Sequence, residues 1–274
     1  MTRLAPPIPY YGSKQSIAEE IVKLLPPHEH YVEPFCGSLS VLLAKKPSRM
    51  ETVNDLDRDL MAFWRTLRDN PLELERACAL TPHSRAEYEA AQDADLSTLP
   101  DLERARLVWV RLTQGRAGTM RNTGWRHFQA PGGSSSGMPR YLAGYVSRIA
   151  LVAERLRHVS LECRPALEII EAYGRHPTTV LLYVDPRYGG STRVRNYRHE
   201  MRSEAEHREL AEALHACKAA VVLSAYRSDL YDELYADWHR IELDAHTGQT
   251  SGDRSRVEVL WSNQPFPNIT PSLF

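Results

Sequence analysis

Two hydrophobic periods alternate along this chain. Short apolar, often β-branched runs that end in an acid or a turn lie at 31–33, 52–54, 160–163, 179–184, 219–224 and 257–262, and they read as strands. Around and between them, apolar positions recur at helical spacing over 15–25, 38–45, 57–69, 166–173 and 203–217. In the third of these helices Leu60, Phe63, Trp64 and Leu67 share one face. Such alternation predicts an α/β fold on a mainly parallel, twisted sheet. Residues 70–112 depart from it: their pattern is helical, with breaks at Thr81-Pro82 and Leu99-Pro100. A further helix is predicted over 141–157, and no internal repeat is present. The pattern therefore divides the chain into 1–62, an insert over 63–160, and 161–274.

Within the insert, residues 114–138 carry Gly115, Gly118, Gly124, Pro131, Gly132, Gly133, three serines and Gly137. Arg116, Arg121, Trp125, Arg126, His127 and Phe128 are interleaved among them. Glycine and serine at this density build no core, so one reading is a solvated excursion. The other is a nucleic-acid-reading element, because long structureless loops inside compact domains are usually functional. Arginine can bridge guanine edges or phosphates. Trp125 and Phe128 either pack beneath the loop or stack on bases.

Charge sharpens this picture only locally. The 274-residue chain has a net charge of −1, so there is no global nucleic-acid signal. Between residues 101 and 160, however, ten arginines face three acids (Asp101, Glu103 and Glu154). The four cysteines, Cys36, Cys78, Cys163 and Cys217, form no CxxC pair and read as reduced thiols. His28-Glu29-His30 lacks further ligands nearby, so no metal is expected. No apolar run approaches the ~20 residues a membrane helix needs, and no signal-peptide pattern opens the chain. The expectation is a cytoplasmic protein.

Candidate chemistry sits at two strand ends. The run 179–184 reads as a buried parallel strand, stopped by Pro186, which leaves Asp185 and Tyr188 at its carboxyl end. Open α/β sheets bind ligands there. The Asp185 carboxylate, the Pro186 carbonyl and a flat ring suit the capture of a planar amine-bearing base. The second strand end is Tyr31-Val32-Glu33-Pro34-Phe35-Cys36-Gly37-Ser38, an acid followed by a glycine turn into a helix. Asp55 follows Gly37 near the spacing at which nucleotide folds place a ribose-binding acid, and Asp57 competes with it. Glu33 and Asp55 read equally as helix-capping acids when each is taken alone.

Three segments, in order, resemble the Dam-like, D12 class of DNA adenine N6-methyltransferases. They are Pro9-Tyr10-Tyr11-Gly12-Ser13-Lys14, the Glu33-Pro34-Phe35-Cys36-Gly37-Ser38 turn, and Asp185-Pro186-Arg187-Tyr188. Leu223-Ser224-Ala225-Tyr226, Leu230-Tyr231-Asp232-Glu233-Leu234-Tyr235 and Leu260-Trp261-Ser262-Asn263 resemble family members as well. Arg187 departs from the pattern, standing where the family has a second proline.

The resemblance implies a Rossmann-like, S-adenosylmethionine-dependent methyltransferase fold with a helical, loop-rich target-recognition insert. It implies cofactor contact by Tyr10, Gly12, Lys14, Glu33, Pro34, Phe35, Gly37, Asp55 and Asp185. Asp185, Pro186 and Tyr188 would act on a flipped-out adenine. Arg116, Arg121, Trp125, Arg126 and Arg193 would contact double-stranded DNA, with Thr192 and Tyr197 near the substrate. The implied setting is bacterial or phage-encoded, without membrane or metal, and with a cognate restriction system left open as a partner. A cytosine-N4 enzyme, an RNA or protein-glutamine methyltransferase, and a DNA-binding homologue impaired by Arg187 are the alternatives.

Overall fold

The structure of the chain, a computed structural model, describes residues 4–128, 137–177, 179–186, 201, 203–245 and 256–267. Its strands are β1 (His30–Glu33), β2 (Met50–Asn54), β3 (Val159–Glu162), β4 (Val180–Val184), β5 (Ala220–Tyr226), β6 (His239–Ala245) and β7 (Arg256–Ser262). They form one sheet in the order β3-β2-β1-β4-β5-β7-β6. The first five in that order run parallel, and β7 enters antiparallel between β5 and β6. This is the α/β fold on a mainly parallel sheet that the pattern predicts, and it agrees with the Rossmann-like methyltransferase fold that the resemblance implies.

Strand β4 shows why the sheet forms. All five of its residues are buried, as a parallel strand covered on both faces requires. Leu181 and Tyr183 enter one core with Tyr31, Val53, Val222 and Leu260. Val180, Leu182 and Val184 enter the other with Val32, Val221, Leu223 and Trp261. The period-2 alternation thus splits the interior into two layers.

The helices are α1 (Ala18–Leu24), α2 (Ser40–Ala44), α3 (Arg58–Asp69), α4 (Pro71–Leu80), α5 (Arg85–Asp93), α6 (Asp101–Gln114), α7 (Met138–Val146), α8 (Ile149–Leu156), α9 (Ala166–Gly174), α10 (Glu204–His215) and α11 (Asp229–Leu234). Residues of α1 to α8 pack into the first core, while α9, α10 and α11 cover the second face. The insert's helices therefore continue the core of the sheet, and α3 runs without a break across position 63.

Three elements differ from the sequence pattern. The helix predicted over 141–157 is two, α7 and α8, interrupted at Ser147 and Arg148. Helix α11 and strand β6 are additions to the predicted elements. Strand β6 alternates Ile241 and Leu243 with Arg240, Glu242 and Asp244, an edge-strand pattern that could have revealed it.

Candidate active site

Because β1, β2, β3 and β4 are parallel, their carboxyl ends share one edge. Glu33, Asn54, Asp55 and Asp185 are brought there together. The turn after β1 is fastened from below. Asn54, fully buried, donates its side-chain amide to the Pro34 carbonyl (2.9 Å) and the Arg164 carbonyl (3.0 Å). Its own side-chain oxygen accepts from the Arg164 N–H (2.8 Å), and its backbone carbonyl accepts from the Cys36 N–H (2.8 Å). The Trp64 indole N–H donates to the Gly37 carbonyl (3.0 Å). Gly37 has φ 47°, the left-handed conformation that glycine adopts freely. Leu39, buried, holds φ 60°, and is the only positive-φ residue other than glycine among those described. A left-handed non-glycine residue costs roughly 1–2 kcal/mol, so packing of its side chain must outweigh the strain.

The structure separates the two competing acids. Asp57 caps α3, its carboxylate accepting from the Asp59 (3.0 Å) and Leu60 (3.2 Å) N–H groups. Asp55 instead accepts from the Gly37 N–H (3.2 Å) and the Asp57 N–H (3.0 Å), so it lies directly beneath the glycine turn. Pro34 is buried, whereas Phe35, Gly37 and Tyr10 are half-buried.

The N-terminal segment crosses this edge as a strap. The hydroxyls of Ser13, Ser38 and Ser40 form a triangle of 2.7, 2.9 and 3.0 Å contacts, tying the strap to the turn. Lys14 reaches further, placing its ammonium 2.9 Å from Asp185 and 3.1 Å from Glu258. Ser224 donates to the same Glu258 oxygen (2.7 Å). The Lys14 ammonium is also 5.8 Å from the Tyr226 ring centroid. Burial alone would lower the pKa of Lys14, but Asp185 and Glu258 outweigh it and hold the ammonium well above the usual lysine range. Glu258 and Ser224 were not singled out as site residues by the sequence. The register that pairs β5 with β7 is what delivers them.

Glu33 is a second buried acid, accepting from the Tyr31 hydroxyl (2.6 Å) and the Leu42 N–H (3.0 Å). Burial, with a smaller contribution from the Asp185 charge, pushes its pKa from the ordinary 4.5 up to about 8, so it is largely protonated at neutral pH. The folded chain thus holds a proton that the unfolded chain releases between pH 4.5 and 8. That stabilising contribution is complete below 4.5 and is lost as pH rises through 8. Unfolding wild type and Glu33→Gln in urea across this range should show wild type losing stability relative to the variant, by on the order of a few kcal/mol. A pH-independent difference would overturn the assignment.

On the insert, residues following α6 form a closed hairpin. Gly115 bridges Trp125 antiparallel, the Arg126 N–H donates to the Gln114 carbonyl (2.7 Å), and the Arg116 N–H donates to the Gly124 carbonyl (3.2 Å). Of the arginines expected to face DNA, Arg116 is exposed and Arg121 half-buried. Arg126 is engaged internally, donating to the Arg116 carbonyl (2.8 Å) and the Tyr141 hydroxyl (2.5 Å). Trp125 stacks on His83 (4.4 Å) and His127 (5.2 Å), with the Arg85 guanidinium 4.8 Å from its centroid. Its ring is half-buried within this stack. Phe128 is 58% exposed. Arg187, Tyr188, Thr192, Arg193 and Tyr197 lie outside the described residues.

The basic excess of the insert is largely consumed by the fold. Arg104 pairs with Asp59, Arg106 with Glu87 and Glu103, Arg155 with Glu51, and Arg157 with Glu154. Arg111 donates to the carbonyls of Ala91 (2.7 Å) and Ala94 (2.8 Å) at the end of α5. Arg121 and Arg140 make no ion pair among the described residues.

Known proteins are similar in sequence along nearly the whole chain. The profile of the family described as D12 class N6 adenine-specific DNA methyltransferase matches residues 10–248. The Type II methyltransferase M1.LlaDCHI of Lactococcus lactis subsp. cremoris is 25% identical over 278 residues, covering 95% of each chain. The DNA adenine methylase of Salmonella typhi is 24% identical over 263 residues, covering 91% of each. The Retron Ec67 DNA adenine methylase of Escherichia coli is 25% identical over 261 residues, covering 91% of this chain and 88% of its own.

Proposed function

The chain belongs to the D12 class N6 adenine-specific DNA methyltransferases, and we propose that Asp185 and the Pro186 carbonyl grip the target amine at the carboxyl end of β4. It is an enzyme that methylates adenine in DNA at specific sites. The observation that carries the site assignment is the Lys14–Asp185–Glu258 cluster standing on the same sheet edge as Glu33 and the Gly37 turn.

The donor set at that edge fits S-adenosylmethionine. Asp55 lies beneath a glycine turn, suiting ribose hydroxyls, and Tyr10 and Phe35 offer half-buried ring faces for an adenine. Glu33 is a buried carboxyl largely protonated at neutral pH, and a cation brought against it would favour loss of that proton. When bound, S-adenosylmethionine supplies an electrophilic methyl on a sulfonium.

The protein's task is to present the amine. Adenine N6 is paired and shielded in a duplex, so the base must leave the stack. The Asp185 carboxylate and the Pro186 carbonyl then accept hydrogen bonds from N6, localising a lone pair otherwise conjugated into the ring. Lys14 favours the ionised, accepting form of Asp185, and a protonated Glu33 spares it a neighbouring negative charge. Tyr188 supplies the stacking ring in this reading. Positioning and local electrostatics do most of the catalysis, and Asp185 need not be a strong base because the methylated ammonium is itself acidic.

We assign DNA contact to the 115–128 hairpin, with 63–160 as the target-recognition insert and Arg116 and Arg121 as its phosphate- or base-facing cations. Arg193 would add a contact from beyond the described residues. Such a substrate places the protein in the cytoplasm of a bacterium or in a phage-infected cell. Among the described residues no helix is long and apolar enough to cross a membrane. Methylome sequencing of DNA from cells expressing the chain should show N6-methyladenine in one short sequence. N4-methylcytosine, or no modification, would overturn the reading. A restriction partner would cut that same sequence when unmethylated.

The hairpin makes its own prediction. Arg116→Ala with Arg121→Ala should weaken duplex binding and flatten its salt dependence, by up to about one unit of log–log slope for each phosphate no longer neutralised. Arg126→Ala should instead lower thermal stability, because its guanidinium braces the hairpin from inside. Wild-type affinity and slope in the double variant would remove the DNA-facing role.

A further inference from the structure

The strap that carries Tyr10 to Lys14 is held at both ends. On the insert side, Arg148 donates to the Pro6 carbonyl (2.8 Å), and the Tyr11 N–H donates to the Gly118 carbonyl (2.9 Å). On the catalytic side, Ser13 joins Ser38 and Ser40, and Lys14 joins Asp185 and Glu258. Gly118 is the joint. It sits within the hairpin at φ 62°, and a Cβ there would lie 3.3 Å from the Pro9 carbonyl carbon and 3.4 Å from the Tyr10 nitrogen. The two backbones meet directly, with no flexible side chain between them to absorb a displacement. Neighbouring Thr119 and Met120 are buried, so the hairpin is seated at this point.

We propose that Gly118 is a positioning residue through which duplex engagement by the hairpin orders the strap, so that DNA and the methyl donor strengthen each other's binding. This rests on the reading that the hairpin contacts DNA. The strap has a free state and a duplex-bound state. Holding the hairpin on a duplex restricts Tyr11, and with it Ser13 and Lys14, before the donor arrives. The donor then gives up less conformational entropy on binding. Linkage requires the reverse effect to be equal.

Gly124 provides an internal control. It lies in the same hairpin at φ 85°, yet a Cβ there would meet only the Arg116 side chain, at 3.7 Å or more. Gly118→Ala and Gly124→Ala therefore introduce similar backbone strain, and only the first pushes on the strap.

The test is a binding cycle with S-adenosylhomocysteine, which permits no turnover, and a short unmethylated duplex bearing the methylome-defined site. In wild type each ligand should tighten the other about tenfold, within the usual range for coupled sites. Gly118→Ala should bring that factor close to one, with the coupling read as the ratio of each ligand's affinity with and without the other, whereas Gly124→Ala should keep it. Hydrogen exchange on wild type gives a second readout that does not depend on any variant folding: the Tyr11 amide should be protected further by the duplex alone. No coupling in wild type, full coupling in Gly118→Ala, equal loss in both variants, or unchanged Tyr11 exchange would each overturn the inference. Unaltered duplex binding in the Arg116 and Arg121 double variant would instead show that the underlying reading of the hairpin is at fault.

Discussion

Asp185→Ala will abolish methyl transfer and leave the protein folded. The carboxylate stands just past the end of β4, and in the proposed mechanism it accepts from the target amine as that nitrogen turns from planar to pyramidal. An acceptor that matters most in the transition state acts on the chemical step, not on ground-state binding. Removing one comparable electrostatic contact elsewhere costs about 10²–10³ in rate. The fold survives because the side chain is 23% exposed and its partner Lys14 retains Glu258 at 3.1 Å. Single-turnover assays on methyl-free DNA should therefore lose about 10²-fold or more, with donor and duplex affinities changed only a few-fold. Near-normal turnover would sink the mechanism. Loss of duplex binding to the same degree would show Asp185 to be a docking residue.

What the sequence disclosed follows from how local each signal is. Strands β1 and β4 are short apolar runs closed by Glu33-Pro34 and Asp185-Pro186, so their ends and the acids on them were legible. A proline within or just past such a run removes a ladder donor, and that is a property of one residue. The choice between Asp55 and Asp57 was not local. Both are acids after β2, and only the path of the chain shows Asp57 turned into the start of α3 and Asp55 beneath Gly37. Asn54 escaped notice for the same reason: its partners Pro34 and Arg164 lie on two other strand ends.

The charge count shows the same limit. Ten arginines against three acids looked like an interaction surface, but the count within a window omits acids from outside it. Asp59, Glu87 and Glu51 supply the missing carboxylates from α3, α5 and β2. What remains without an acidic partner among the described residues includes Arg116 and Arg121, carried on a hairpin whose half-buried Trp125 stacks on His83 and His127. Glycine and serine density set the segment apart from the helices around it. It did not disclose that Gly118 meets the strap, a contact between backbones that no side-chain pattern encodes.

For Lys14 the resemblance and the geometry suggest different roles. The motif implies a donor contact, yet the ammonium lies between Asp185 and Glu258, with only 10% of its side chain exposed. Lys14→Met should therefore cost about 3–5 kcal/mol of stability, because it leaves buried carboxylate charge without its cation. Adding Glu258→Gln removes the worse of the two orphaned charges, since Glu258 is 2% exposed against 23% for Asp185. The amide can still accept from Ser224. The double variant should thus be more stable than Lys14→Met alone, with an interaction energy of about 0.5–3 kcal/mol, the range for residues in direct contact. Methylation should stay low in both, because Asp185 has lost the ammonium that orients it. Urea unfolding of the four members of the cycle measures the coupling. If Lys14→Met unfolds like wild type and only raises the KM for S-adenosylmethionine, the lysine is the donor contact the motif implies and the triad with Glu258 is incidental. If the single variant is destabilised and Glu258→Gln rescues stability without activity, Lys14 holds the acceptor in place from inside the protein.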